Sequence, residues 1–217
     1  MIHHTNLSFK ETLRDRDDYA TNLIILHHTE VLEPHTVEDV HRWHQKKGMA
    51  GIGYHYFIRK DGEIYEGRPY DTIGAHAGEQ FNPRSVGIAY EGDFNKEKMS
   101  AKQENAGVML IALLSLAYED AEITMYSDLK KTTDPGKNFP FSSLIKKVED
   151  CKDALRTLFG DEHYLMIMDA ESRNRYQGLD EEANRRRQEA PDLITTGNFD
   201  YLSIVRLFEE IHEECDY

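Results

Sequence analysis

The sequence predicts an α/β domain, a central mixed β-sheet with flanking helices, followed by a charged helical C-terminal extension. Three observations carry that prediction. The run Leu23-Ile24-Ile25-Leu26 is aliphatic throughout and reads as a strand buried on both faces, ending in His27-His28. The patterns that follow come in the order strand, helix, hairpin, loop, strand, helix, strand, which suits a sheet with helices packed on it. Beyond Phe141 the texture changes to long amphipathic and highly charged stretches. The expected division is a lead-in over 1–20, the α/β domain over 21–145 and the extension over 146–217.

Each element has its own signal. Residues 1–20 are polar and mixed in charge. After the strand at 22–28, Thr36 reads as an N-cap, with Glu38 and Asp39 in the first turn and Val37, Val40 and Trp43 at helical spacing. Gly48 suits the position just past the helix end. Over 49–68, Ile52, Tyr54, Tyr56 and Ile58 alternate with Gly53, His55 and Phe57, and Lys60-Asp61-Gly62 supplies a turn, so a hairpin is expected. Residues 69–84 lack periodicity and form a long loop, a common place for function. Ser85 to Tyr90 is a second buried strand. Ser100 caps a helix whose apolar face runs through Val108, Met109, Ile111, Leu113 and Leu116, and Ile123 to Tyr126 is a short strand. Ser127 to Pro140 is a loop. Residues 142–159 form an amphipathic helix, Glu171 to Glu189 a charged arm or solvated helix, and Asp200 to Glu214 a last amphipathic helix.

Composition narrows the function. With 40 acidic against 26 basic residues the net charge is −14, so nothing here would neutralise a phosphate backbone, and nucleic acid is excluded as a partner. No run reaches the length of a membrane span. Cys151 and Cys215 fit neither a metal spacing nor a disulfide framework, so free thiols are expected. Met1 to Arg14 has no apolar core of signal-peptide length, which suggests synthesis in the cytoplasm.

The strand end is the candidate site, because ligands collect at the carboxyl ends of strands in open α/β sheets. Successive strand side chains point to opposite faces, so one of His27 and His28 can face a site while the other packs.

Several further stretches accompany that pair. They are Ile24-Ile25-Leu26-His27-His28-Thr29, Gly51-Ile52-Gly53-Tyr54-His55-Tyr56-Phe57-Ile58, Lys60-Asp61-Gly62-Glu63-Ile64, Gly74-Ala75-His76-Ala77-Gly78 with Asn82, Ser85-Val86-Gly87-Ile88-Ala89-Tyr90-Glu91-Gly92, and Thr132-Thr133-Asp134-Pro135-Gly136-Lys137-Asn138-Phe139-Pro140. In order and spacing, from about residue 20 to 142, the chain resembles the type 2 N-acetylmuramoyl-L-alanine amidases. That superfamily includes phage lysozyme-type amidases, bacterial cell-wall amidases and animal peptidoglycan recognition proteins. The resemblance implies the mixed sheet with flanking helices and hydrolysis of the amide joining the lactyl group of N-acetylmuramic acid to L-alanine. It also implies one Zn²⁺ on two histidines plus a cysteine or aspartate, with water in the open position. Catalytic zinc generally has three protein ligands and one open place.

Carried over residue by residue, the first ligand falls on His27 and the third on Asp134. An aspartate in a Thr-Asp-Pro-Gly context resembles the cytosolic recycling members, and a carboxylate is an acceptable zinc ligand. The second ligand, eight residues earlier, falls on Tyr126 within Met125-Tyr126-Ser127-Asp128-Leu129. A phenol must ionise from about 10 before it can ligate. Tyr54 matches a tyrosine that positions the water or the oxyanion. Thr132 matches an oxyanion donor, although a turn hydroxyl is also commonly a local cap. His76 and Asn82 match groove residues that would contact substrate, and His76 could equally be a plain loop histidine. His28 is expected to be structural, His35, His41 and His44 to lie on or before an exposed helix without a chemical role, and Trp43 to be core rather than sugar platform. The expected function is a zinc amidase acting on peptidoglycan or muropeptides; the alternative is a muropeptide-binding module impaired in catalysis by Tyr126. The first could act on the cell wall after release, as a phage lysin does, or on cytosolic muropeptides. The extension could serve oligomerisation.

Overall fold

The computed structural model describes residues 2–16 and 21–159. Leu23–His28 forms β2, buried along its whole length. It pairs in parallel with β5 (Ser85–Tyr90) on one side and with β6 (Glu122–Met125) on the other. Beyond β5 lie β3 (Tyr56–Ile58) and β4 (Ile64–Glu66), an antiparallel pair, and then β1 (Ile2–His3), parallel to β4. The six-stranded mixed sheet has the order β1-β4-β3-β5-β2-β6.

Alternation along the strands divides the core. Ile24 and Leu26 join Ile58, Val86, Ile88 and Tyr90 beneath α2 (Ala101–Ala117) and α4 (Phe141–Phe159). The Ser100 hydroxyl caps α2 by accepting the Gln103 N–H at 3.1 Å. Every α2 residue from Gly107 to Leu116 is buried, not one face alone, because the sheet covers one side and α4 the other. On the opposite sheet face, α1 (Val37–Lys46) packs Val37 and Val40 against Ile52, Phe57 and Ala89. Its start is a capping box: Thr36 Oγ1 accepts from Asp39 N–H, and the Asp39 carboxylate accepts from Thr36 N–H. Gly48, at φ 87°, then turns the chain.

Three expectations need correction. The boundary at 145/146 falls inside α4, which buries Leu144, Val148, Cys151, Ala154 and Leu155 against the rest of the core, so this helix belongs to the domain. Residues 2–16 are also part of it. Ile2–His3 forms the sheet edge, and the buried Arg16 guanidinium donates to the carbonyls of Ser85 (2.7 Å) and Tyr70. The hairpin pairing runs from Tyr54 to Arg68, where the Gly67 and Arg68 N–H groups reach the His55 and Tyr54 carbonyls, so it starts later than 49. Before Tyr54 the chain runs against the neighbouring loop: a Cβ on Gly53 would sit 2.1 Å from the Ala75 carbonyl oxygen, and the Gly53 carbonyl accepts the Ala75 N–H at 2.9 Å. The expected arm over 171–189 and helix over 200–214 lie outside the described residues. Among those described, no helix is long and apolar enough to cross a membrane.

Candidate functional site at the end of the central strand

Alternation along β2 sends His27 and His28 to opposite faces, as expected. His28 turns toward α2. Its Nδ1 accepts the Phe94 N–H at 3.1 Å and its ring stacks on Phe94. Burial pulls its pKa below the ordinary histidine value, which suits a neutral acceptor. His27 turns to the other face and is only 1% exposed. Its Nδ1 lies 2.9 Å from Asp134 Oδ2 and its Nε2 lies 3.0 Å from His76 Nδ1.

Asp134 ties the strand end to the loop after β6. One carboxylate oxygen meets His27; the other accepts the His28 backbone N–H at 2.8 Å. Thr132 Oγ1 accepts the Asp134 N–H at 3.3 Å, and the Asp134 carbonyl accepts from Ser127 N–H. Thr132 is therefore a local cap that also faces the cleft described below.

Tyr126 arrives beside His27 through sheet register. Leu26 pairs with Met125, so the next residues, His27 and Tyr126, lie side by side, with ring centroids 4.8 Å apart. Tyr126 opens α3 (Tyr126–Leu129). Tyr54 also lies against His27, with ring centroids 5.1 Å apart. Burial, then the charges of Asp134 and Tyr126, push the Tyr54 phenol above its ordinary range, so it stays a neutral donor. His44 packs on Tyr54, and its Nδ1 accepts the Gly53 N–H at 3.0 Å. Burial first, then Lys47 and Arg68, lower its pKa to about 4. Glu30, Trp43, His44, Lys47, Tyr54, Thr132 and Asp134 line a cleft of about 400 Å³ outside this end of the sheet.

The structure brings His27, Tyr54, Tyr126, Thr132 and Asp134 together. It places His76 and Asn82 in supporting positions. His76 stands on the Nε2 side of His27, whereas Asp134, on the Nδ1 side, faces the cleft. Its ring fills a slot made by two glycines: a Cβ on Gly74 or Gly87 would sit 2.5 or 2.6 Å from it. Asn82 turns its carboxamide oxygen inward, accepting the N–H groups of His76 and Ala77. His35 and His41 are buried instead of exposed. His41 accepts the Ile52 N–H and bonds the Ser8 carbonyl, and His35 packs on Trp43 and Phe57. Trp43 is half-buried against the α1 cluster and also borders the cleft. Glu30, His44 and Lys47 are cleft residues that motif spacing did not single out.

The donor set can be tested for zinc. His27 Nδ1 and Asp134 Oδ2 converge, and both are ordinary zinc donors. The third position is the Tyr126 phenol. Among the described residues, no group of three His, Cys, Asp or Glu side chains could hold a metal ion. These residues therefore do not fit a catalytic zinc on three ordinary protein ligands.

Comparison with known proteins agrees with the fold. The N-acetylmuramoyl-L-alanine amidase family model matches residues 1–137. The structure is similar to N-acetylmuramoyl-L-alanine amidase LysC from Clostridium intestinale URNW, with 35% identity and a TM-score of 0.65, covering 69% of this chain and 97% of that one. Peptidoglycan recognition protein 1 of Bos indicus is 31% identical over 103 residues, 46% of this chain and 54% of that protein. An endolysin of Klebsiella phage KP32 is 29% identical over 98 residues, 43% of this chain and 64% of the endolysin. The match thus spans between half and two thirds of the length of these two curated relatives. With more than half of its length matched by the family model, and the mixed sheet and strand-end site in place, the chain belongs to the N-acetylmuramoyl-L-alanine amidase family.

Proposed function

We propose that this protein recognises peptidoglycan muropeptides in the cleft at the end of β2 and, with tyrosine at position 126, binds them without zinc-assisted cleavage. The observation that carries this reading is the register that sets Tyr126 beside His27, where the family pattern has a histidine ligand. With two ordinary donors in place of three, a metal ion would be held weakly. Asp134 is meanwhile engaged by His27 and by the His28 N–H.

The cleft suits a peptide bearing sugar and carboxylate groups. Trp43 and Tyr54 offer aromatic faces, and Lys47 is a cation for a stem-peptide carboxylate. Glu30 and Thr132 border the same space with hydrogen-bonding side chains. The names of the relatives, an amidase, an endolysin and a peptidoglycan recognition protein, support peptidoglycan as the ligand class.

Hydrolysis of the lactyl–L-alanine amide is the second reading, favoured by the approach of His27 Nδ1 to Asp134 Oδ2. Calorimetric titration with a defined muropeptide, followed by mass spectrometry of the mixture after incubation with zinc, separates the two. Binding with intact muropeptide supports the proposal. Release of free stem peptide selects hydrolysis, and absence of any binding or cleavage refutes both.

A further inference from the structure

Four groups form one continuous hydrogen-bonded line: Asp134 Oδ2, the two ring nitrogens of His27, the two ring nitrogens of His76, and Ser85 Oγ. Successive separations are 2.9, 3.0 and 3.4 Å. The line starts at the cleft and ends on a fully buried serine at the start of β5.

We propose that His76 is a positioning residue that shares one tautomeric state with His27, so that the whole line reverses its hydrogen-bond polarity together. A neutral imidazole carries one N–H and one bare nitrogen. The Asp134 carboxylate only accepts, so His27 carries its proton on Nδ1 and its Nε2 is bare. That bare nitrogen accepts from His76, which therefore carries its proton on Nδ1. His76 Nε2 is then bare and accepts the Ser85 hydroxyl. Every donor points toward Asp134. If anything takes the lone pair of His27 Nδ1, its proton must sit on Nε2. His76 then becomes the acceptor at Nδ1 and donates from Nε2 to Ser85 Oγ. Beyond His27 no bond is lost, because His76 and Ser85 can each both donate and accept.

The slot keeps this pair in register. The ring of His76 is confined between Gly74 and Gly87, and Asn82 holds the backbone N–H of His76 itself. Gly87 lies opposite Ile25 in the β2–β5 pairing, so the sheet leaves space for an imidazole two residues before His27. A ring that served packing alone would have no reason to follow the protonation pattern at Asp134, two groups away.

Asp134→Asn reverses the line without a metal. The His28 N–H must donate to position 134, so it claims the asparagine carbonyl oxygen. The NH₂ group then faces His27 Nδ1 and forces that nitrogen to accept. The test is long-range ¹H–¹⁵N NMR on protein labelled at histidine, chelator-treated and at mildly alkaline pH, with His76→Gln and His27→Gln used for assignment. In the wild type, His27 and His76 are both expected to carry the proton on Nδ1. In Asp134→Asn both are expected to shift to the Nε2–H pattern. A wild-type His76 protonated on Nε2 overturns the proposal, and this measurement needs no variant beyond those used for assignment. So does an Asp134→Asn protein in which His27 reverses and His76 does not, or in which neither reverses.

Discussion

Removing the Asp134 carboxylate should destabilise the domain well beyond an ordinary surface substitution. Asp134→Ala deletes the acceptor for the His28 N–H at 2.8 Å and for His27 Nδ1 at 2.9 Å. His27 and His28 are 1% and 4% exposed, so water does not readily replace either bond. A hydrogen bond to a charged acceptor is worth about 1.5–3 kcal/mol, and an orphaned buried donor costs about the same range. The Asp134 side chain is itself 18% exposed, which lowers the expectation to about 3 kcal/mol in total. For a domain of this size that is a fall in Tm of roughly 6–12 °C. Asp134→Asn keeps an acceptor for His28 and a partner for His27, so it should lose only about 1 kcal/mol. Urea denaturation of the three proteins, chelator-treated, measures both differences. Equal stabilities for the alanine and asparagine variants, or an alanine variant within about 0.5 kcal/mol of wild type, would refute the assignment of these two bonds to Asp134.

Other consequences follow from the same geometry. Gly87→Ala, normally favourable inside a strand, should cost about 1–3 kcal/mol because its Cβ would sit 2.6 Å from the His76 ring, and thermal melts will show it. Stability should also fall with acid. His44 and the fully buried His55 have folded pKa values lowered to about 4 and about 3, chiefly by burial, so the unfolded chain binds their protons first. Their stabilisation is complete above the ordinary histidine pKa and is lost as pH falls from about 6.5 toward 4, by roughly 1 kcal/mol per pH unit for each. Urea midpoints across that interval, with His44→Gln flattening the slope, provide the check. Cys151 is buried and its thiol is pushed up to about 12, so at about pH 8 only some ten-thousandth is thiolate. In a Cys215→Ser background, native protein should react with a thiol reagent only as fast as it unfolds.

Much of this architecture was legible in the residues themselves. The aliphatic run of β2 and the period of two assigned His27 and His28 to opposite faces, and Thr36 and Ser100 marked the starts of α1 and α2. The register of Tyr126 was legible too, because Ser127-Asp128-Leu129 fixes it and the β6–β2 pairing places it at His27. What stayed hidden depends on groups that a sequence does not display. The N–H groups of Ile52 and Gly53 need acceptors, and His41 and His44 supply them, so a helix face that reads as polar is partly buried. His76 reads as a loop histidine among glycines. Its role emerges only when a segment 49 residues away folds over β2 and the missing side chains at Gly74 and Gly87 become a slot. The end of the domain was misplaced because amphipathic spacing in α4 looks the same whether its apolar stripe meets the core or a partner.

On the proposed reading, tyrosine at position 126 denies this family member a catalytic zinc. The most direct test is zinc per chain, by elemental analysis after equilibration with zinc and removal of excess, on wild type and Tyr126→His, each then incubated with a muropeptide. Wild-type protein is expected to hold zinc far below stoichiometry and to leave the muropeptide uncleaved, whereas Tyr126→His is expected to gain zinc. Stoichiometric zinc in the wild type together with release of free stem peptide would contradict that reading.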